Sequence, residues 1–239
     1  MRLRRADDGP GNDEAADERL AGSLLRGRRI VIDPGHGGPD PGTTIAGVAE
    51  ADLVWDLARR IEGRSSGAGM QALLTRQEHT CPTDAERTGC GNAADADLLL
   101  SLHVNADRSM GAAGLATFHA AGSTAGQTLA GFVQRELTSR TGMLDRGTQA
   151  HPGELLRGAR MPAVRVEVGY LSNMGDRRRL LDPVFRDVVA EGVLVGIKRF
   201  YLQGEDDQPT GTFTFSDVLA HELERNRPSR SADAPSRRR

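Results

Sequence analysis

The sequence predicts an α/β fold: one domain built on a mostly parallel twisted sheet with helices on both faces. Three observations carry this. Short β-branched or apolar runs alternate with amphipathic helical segments along the chain, the order that produces strand–helix–strand units. The run Leu98-Leu99-Leu100-Ser101-Leu102 has no polar alternation, as expected of a strand covered on both faces. The first β-branched run, Arg29-Ile30-Val31-Ile32, stops at Asp33-Pro34-Gly35, a strand ending in a turn.

The elements follow in order. After the first strand, residues 51–62 place Leu53, Leu57 and Ile61 on one helical stripe beside Val54 and Ala58. Met70 to Thr75 predicts a second strand. Thr83 to Ala94 predicts a helix, because Thr83 and Glu86 have capping-box spacing. The leucine run is the third strand, and Gly114 to His119 the fourth. Leu129, Phe132, Val133 and Leu137 mark the next helix. Val164-Arg165-Val166-Glu167-Val168 is a further strand. Val184, Val188, Val189, Val193, Ile197 and Tyr201 mark a long closing helix.

Composition sets the boundaries. Residues 1–26 are charged and aperiodic, a linker composition, and residues 204–239 are again polar. The foldable part is residues 27–203, within a chain of 239 residues. No apolar run approaches the roughly 18 residues of a membrane span. A net charge of -2 gives no electrostatic case for nucleic-acid binding. Lys198 is the single lysine among 31 basic residues, a skew that fits a GC-rich genome better than a phosphate-binding role. The basic start lacks an apolar h-region and a cleavage site, so the chain as written reads as cytoplasmic. The cell envelope is the alternative if it is part of an exported protein.

Chemistry gathers where strands end. His36 lies in Asp33-Pro34-Gly35-His36-Gly37-Gly38, Glu50 opens the first helix, His103 closes the leucine strand, and Glu167 sits inside an apolar strand. Sites of open α/β sheets form outside the carboxyl ends of the strands. Each residue alone has an ordinary explanation: a polar loop histidine, a buried histidine with a partner, a first-turn glutamate favoured by the helix dipole. Glu167 is the hardest to explain away, since a carboxylate in an apolar strand needs a partner, a metal or a proton. The glycine loop lacks both a GK[ST] ending and a G-x-G-x-x-G pattern, so a phosphate cradle is not indicated.

Taken together, DPGHGGPDPG, Glu50, SLHVNA and MPAVRVEVGYLSN resemble the zinc-dependent N-acetylmuramoyl-L-alanine amidases of the Amidase_3 type. The resemblance covers about residues 28–202 and includes Glu86-Arg87, Asn92 and Leu155-Leu156-Arg157. It implies Zn2+ held by His36, Glu50 and His103 at the carboxyl ends of the strands, with Glu167 catalytic. It also implies a peptidoglycan or muropeptide substrate, cut between N-acetylmuramic acid and L-alanine. Ala51 stands where the family often has lysine, and Val104 where it usually has alanine. No serine or cysteine sits in a nucleophile motif.

Residues 207–223 resemble the C-terminal extension of an actinobacterial subgroup, some members of which have lost zinc ligands and regulate wall-precursor synthesis. A cytoplasmic regulator or binding module is therefore the alternative function. Phe213 and Phe215 alternate with threonines and precede Val218, Leu219 and Leu223 at helical spacing. An appendage packed on its own domain is expected, with a protein partner at this extension as the alternative. Cys81 and Cys90 lie nine residues apart, a spacing open to a small disulfide loop in an oxidising compartment or to two reduced thiols.

Overall fold

The computed structural model describes residues 24–203 apart from Ser109. In chain order the elements are β1 (Arg29–Pro34), β2 (Thr44–Ile45), β3 (Val48–Ala49), α1 (Glu50–Gly67), β4 (Gln71–Leu74), α2 (Asp84–Ala93) and β5 (Leu98–Asn105). There follow β6 (Leu115–Ala120), α3 (Thr124–Thr141), β7 (Asp145–His151), α4 (Glu154–Gly158), β8 (Ala163–Tyr170), α5 (Met174–Leu181) and α6 (Pro183–Gln203). Six strands form one sheet in the order β4-β1-β5-β8-β6-β7. All neighbours are parallel except β6 against β8. The mostly parallel architecture is as the sequence indicates, and the antiparallel junction is an addition.

The period-2 alternation of the central strands divides the protein into two layers of contacts. Ile30, Ile32, Leu98, Leu100, Leu102, Val164 and Val166 are buried with α1, α3 and α6, where Leu57, Phe132 and Ile197 complete the larger core. Val31, Leu99 and Ala163 belong to a smaller cluster with Leu155 and Leu156 of α4. These three lie side by side across the sheet, since Val31 pairs with Leu99 and Leu99 with Ala163. Two residues further along each strand, the same face turns polar. Asp33, Ser101 and Arg165 form the next row across the sheet, and His103 and Glu167 the row beyond. The functional face is the continuation of the smaller core, where apolar cover gives way to a groove.

Local sequence explains the flanking helices. At the start of α2 the Thr83 hydroxyl accepts the Glu86 amide, and the Glu86 carboxylate accepts the Thr83 amide at 2.7 Å. This is the capping box expected from the spacing. α3 is capped by Ser123 and stopped by Gly142 at φ +61. α1 is longer than its apolar stripe suggested, beginning at Glu50 and running to Gly67 with Ser65 buried. Arg60 and Arg64 of α1 pair with Asp187 of α6, and Arg186 of α6 with Asp56, tying the two helices together.

Leu25, within the segment assigned to the linker, is fully buried in the larger core. Residues 207–223 lie outside the described residues. Cys81 and Cys90 are both free thiols, so the small disulfide loop does not form in this structure. Among the described residues, no helix is long and apolar enough to cross a membrane.

Candidate metal and catalytic centre

Three of the four residues singled out in the sequence converge through their donor atoms. His36, Glu50 and His103 offer ligand atoms that all lie within 4.8 Å of one another. Each arrives from a different element. His36 is carried by the loop after β1 with φ +58, a left-handed conformation that is uncommon outside glycine. Glu50 is the first residue of α1, and His103 stands near the end of β5.

The glycines of the loop supply room. A Cβ on Gly35 would lie 2.2 Å from Cε1 of His103, and one on Gly42 would lie 2.6 Å from Cδ2 of His36. Backbone therefore passes directly against both imidazoles, which no larger residue permits without displacing them.

Glu50 is the hub. Its Oε1 lies 3.2 Å from His36 Nε2 and 3.0 Å from His103 Nδ1, and accepts the Val104 amide at 2.9 Å. Its Oε2 accepts the Thr43 amide at 3.1 Å. Burial opposes ionisation of this carboxyl, but the hydrogen bonds from His103, His36, Val104 and Thr43 outweigh it and hold it well below the usual carboxylate range. Its hydrogen bond to Glu50 raises the pKa of His36 against the opposing effect of burial, and Asp40 adds to the rise. Asp40 Oδ2 takes the other ring nitrogen, Nδ1, at 2.7 Å, and its Oδ1 accepts the Gly42 amide. A carboxylate on the second ring nitrogen is the support that metal-binding histidines commonly have.

Glu167 is adjacent by register: it pairs with His103 on one side and Ala116 on the other. Its Oε1 accepts from Arg165 Nε at 2.9 Å and Nη2 at 2.7 Å. Its Oε2 is buried without a hydrogen-bond partner. A groove of about 290 Å³ runs along this face past His36, His103, Arg165, Cys81, Arg87 and His151. His151 stacks edge-on against Phe118 with ring centroids 5.5 Å apart. Its Nδ1 accepts the Gly153 amide at 2.9 Å. Burial, and then the charge of Arg165, lower its pKa; with Nδ1 accepting, Nε2 is the nitrogen that carries the proton of the neutral ring.

Beneath the site, Asp33 is fully buried and accepts from Arg87 Nη1 at 2.7 Å and from Ser101 Oγ at 2.7 Å. Arg87 also donates to the carbonyls of Pro82, Pro34 and His36, each at 2.8 Å. One guanidinium thus pins the loop that carries His36 to the end of β1.

The family profile of N-acetylmuramoyl-L-alanine amidases matches residues 30–199. The chain is 46% identical over 221 residues to N-acetylmuramoyl-L-alanine amidase CwlM of Mycobacterium tuberculosis, covering 89% of this chain and 54% of that protein. It is 31% identical to N-acetylmuramoyl-L-alanine amidase LytC of Bacillus subtilis, covering 80% of this chain and 40% of that one. The chain thus spans about half the length of the curated relatives it matches. Among solved structures, an N-acetylmuramoyl-L-alanine amidase from Clostridium difficile superposes with a TM-score of 0.69 at 30% identity, covering 72% of this chain and 95% of the other.

Proposed function

The chain belongs to the N-acetylmuramoyl-L-alanine amidase family, and from that premise we propose that it hydrolyses the amide between the lactyl group of N-acetylmuramic acid and L-alanine in peptidoglycan or its fragments. The observation that carries this reading is the convergence of His36, Glu50 and His103 beside a glutamate with one unengaged, buried oxygen. Two imidazoles and one carboxylate are a donor set of catalytic zinc centres, which keep a further position open. The arrangement fits a cation: two ring nitrogens lie against one carboxylate oxygen, Asp40 holds His36, and the amides of Thr43 and Val104 hold Glu50. Bound there, zinc supplies Lewis-acid activation of water and of the scissile carbonyl near neutral pH.

The remaining chemistry belongs to the chain's own groups. Oε2 of Glu167 is the acceptor for the proton of the attacking water. As the water oxygen bonds to the lactyl carbonyl carbon and the C–N bond breaks, Glu167 passes that proton to the departing amino nitrogen of L-alanine. The glycine-bounded backbone at Gly35 keeps His103 from rotating away, and Asp40 keeps His36 Nε2 turned to the centre. An amidase-fold regulator is the second reading. It draws support from Arg165, which holds Glu167 in an ion pair in this state.

Metal analysis tests the ligand set. One zinc per chain is expected in the wild type, and none in His36→Ala or His103→Ala. Glu50 and Asp40 raise the pKa of His36, so across the range in which this imidazole titrates its proton must leave when zinc binds. Affinity should therefore fall as pH falls through this range, with proton release visible by calorimetry in buffers of different ionisation enthalpy. Full zinc content in both alanine variants would overturn the assignment.

A further inference from the structure

The groove is lined by Arg165 and not by Glu167. The two side chains lie on one face of β8, two residues apart, and the guanidinium grips Oε1 through two donors. Arg165 is about one-third exposed at 33%, whereas the Glu167 side chain is 7% exposed. The proposed base is therefore covered on its open side by a cation. Arg165 occupies Oε1, and the free acceptor Oε2 is buried away from the groove, so the pair has to loosen before Glu167 can reach a water there.

What loosens it must be an anion able to compete for the guanidinium. The other groups of the groove wall narrow the choice of receiver. The Arg87 guanidinium is committed to buried Asp33 and to the carbonyls of Pro82, Pro34 and His36. Burial and Arg165 disfavour the charged form of His151, and its Nδ1 is occupied by the Gly153 amide. Arg165 is thus the partly exposed cation whose present partner is a single side chain on its own strand.

We propose that Arg165 exchanges between Glu167 and a carboxylate of the substrate, so that an acidic peptide with a free carboxylate close to the scissile amide uncovers Glu167 as it binds. Arginine suits this exchange because its planar fork fits either carboxylate with the same two-pronged geometry. The result is a specificity device: a peptide carrying an amide in place of that carboxylate leaves Glu167 covered. The inference rests on the amidase reading, since it takes Glu167 as the base.

The test uses two non-cleavable muramoyl peptides in which the scissile N–H is replaced by CH2. They differ only in whether the nearest carboxyl is free or a primary amide. Binding is measured by calorimetry to zinc-loaded wild type, Glu167→Gln, Arg165→Leu and the double variant. In the wild type the acid peptide must displace Glu167. Removing that competitor in Glu167→Gln should tighten the acid peptide at least tenfold and leave the amide peptide unchanged. The gain should vanish in the double variant. Arg165→Lys, which keeps the charge without the fork, should retain part of the acid preference and serves if Arg165→Leu folds poorly. Equal changes for both peptides, or a gain that persists without Arg165, would overturn the exchange and leave Arg165 as a fixed support. Cleavage of the natural amide by zinc-loaded wild type is scored separately. If it fails while the acid-specific gain is present, the amidase reading falls and the exchange stands.

Discussion

Glu167→Gln is expected to lower amidase turnover by roughly two or more orders of magnitude, the usual scale for loss of a general base, while zinc stays at one per chain. The change preserves shape but removes the negative charge that Arg165 pairs with and replaces the unpartnered acceptor Oε2, which is buried beside the His103 row. No metal donor is removed, because His36, Glu50 and His103 form the cluster without it. Steady-state rates and metal analysis on the same preparation decide the matter. Turnover at the wild-type rate would make Glu167 structural, and loss of zinc would make it a fourth ligand closing the site.

Arg87→Ala is expected to destabilise the protein by about 3–5 kcal/mol, the range for stripping one partner from a buried ion pair. Asp33 is fully buried, and the substitution removes the one charged partner that balances its carboxylate among the described contacts. The hydroxyls of Ser101 and Thr75 remain on Asp33 but bring no charge. The same substitution frees the carbonyls of Pro34 and His36, so the His36 loop should loosen and zinc affinity should fall with stability. Urea unfolding with an unchanged slope and a lowered midpoint is the expected record. A shift below about 1 kcal/mol would mean that Asp33 finds another partner or takes up a proton.

The extent to which the fold could be read from sequence follows from how each element is buried. β1, β5 and β8 were legible because their apolar runs are covered on both faces. β7 was not: Asp145-Arg146-Gly147-Thr148-Gln149-Ala150-His151 is an edge strand, mostly exposed, with backbone pairing to β6 and little apolar pattern. The reversed direction of β6 was equally hidden, since period-2 alternation is the same read either way along a strand. The two-residue strands β2 and β3 and the short helix α4 fall below any periodicity.

At the site, His36, Glu50, His103 and Glu167 were legible together, through four ordered motifs that resemble the amidase family, whereas alone only Glu167 resists an ordinary explanation. The residues that support them were not. Asp40 reads as a turn residue among prolines and glycines, and only the fold brings its carboxylate onto His36 Nδ1. Arg165 alternates with valines exactly as Glu167 does, so its charge was visible, but its grip on Glu167 depends on rotamers that spacing alone does not specify. His151 enters through the unrecognised strand β7. The missed residues are those whose role lies in a side-chain contact that sequence spacing does not specify.

The most direct test of the account is the identity of the bond broken. Purified protein is incubated with a muramoyl peptide in 18O-labelled water, with zinc, with a chelator, and with zinc restored after chelation, and the products are read by mass spectrometry. The account predicts one label in the lactyl carboxyl of N-acetylmuramic acid, a free amino group on L-alanine, no product under chelation and recovery with zinc. A zinc-loaded protein that leaves this amide intact, or cleavage that survives metal removal, would contradict it.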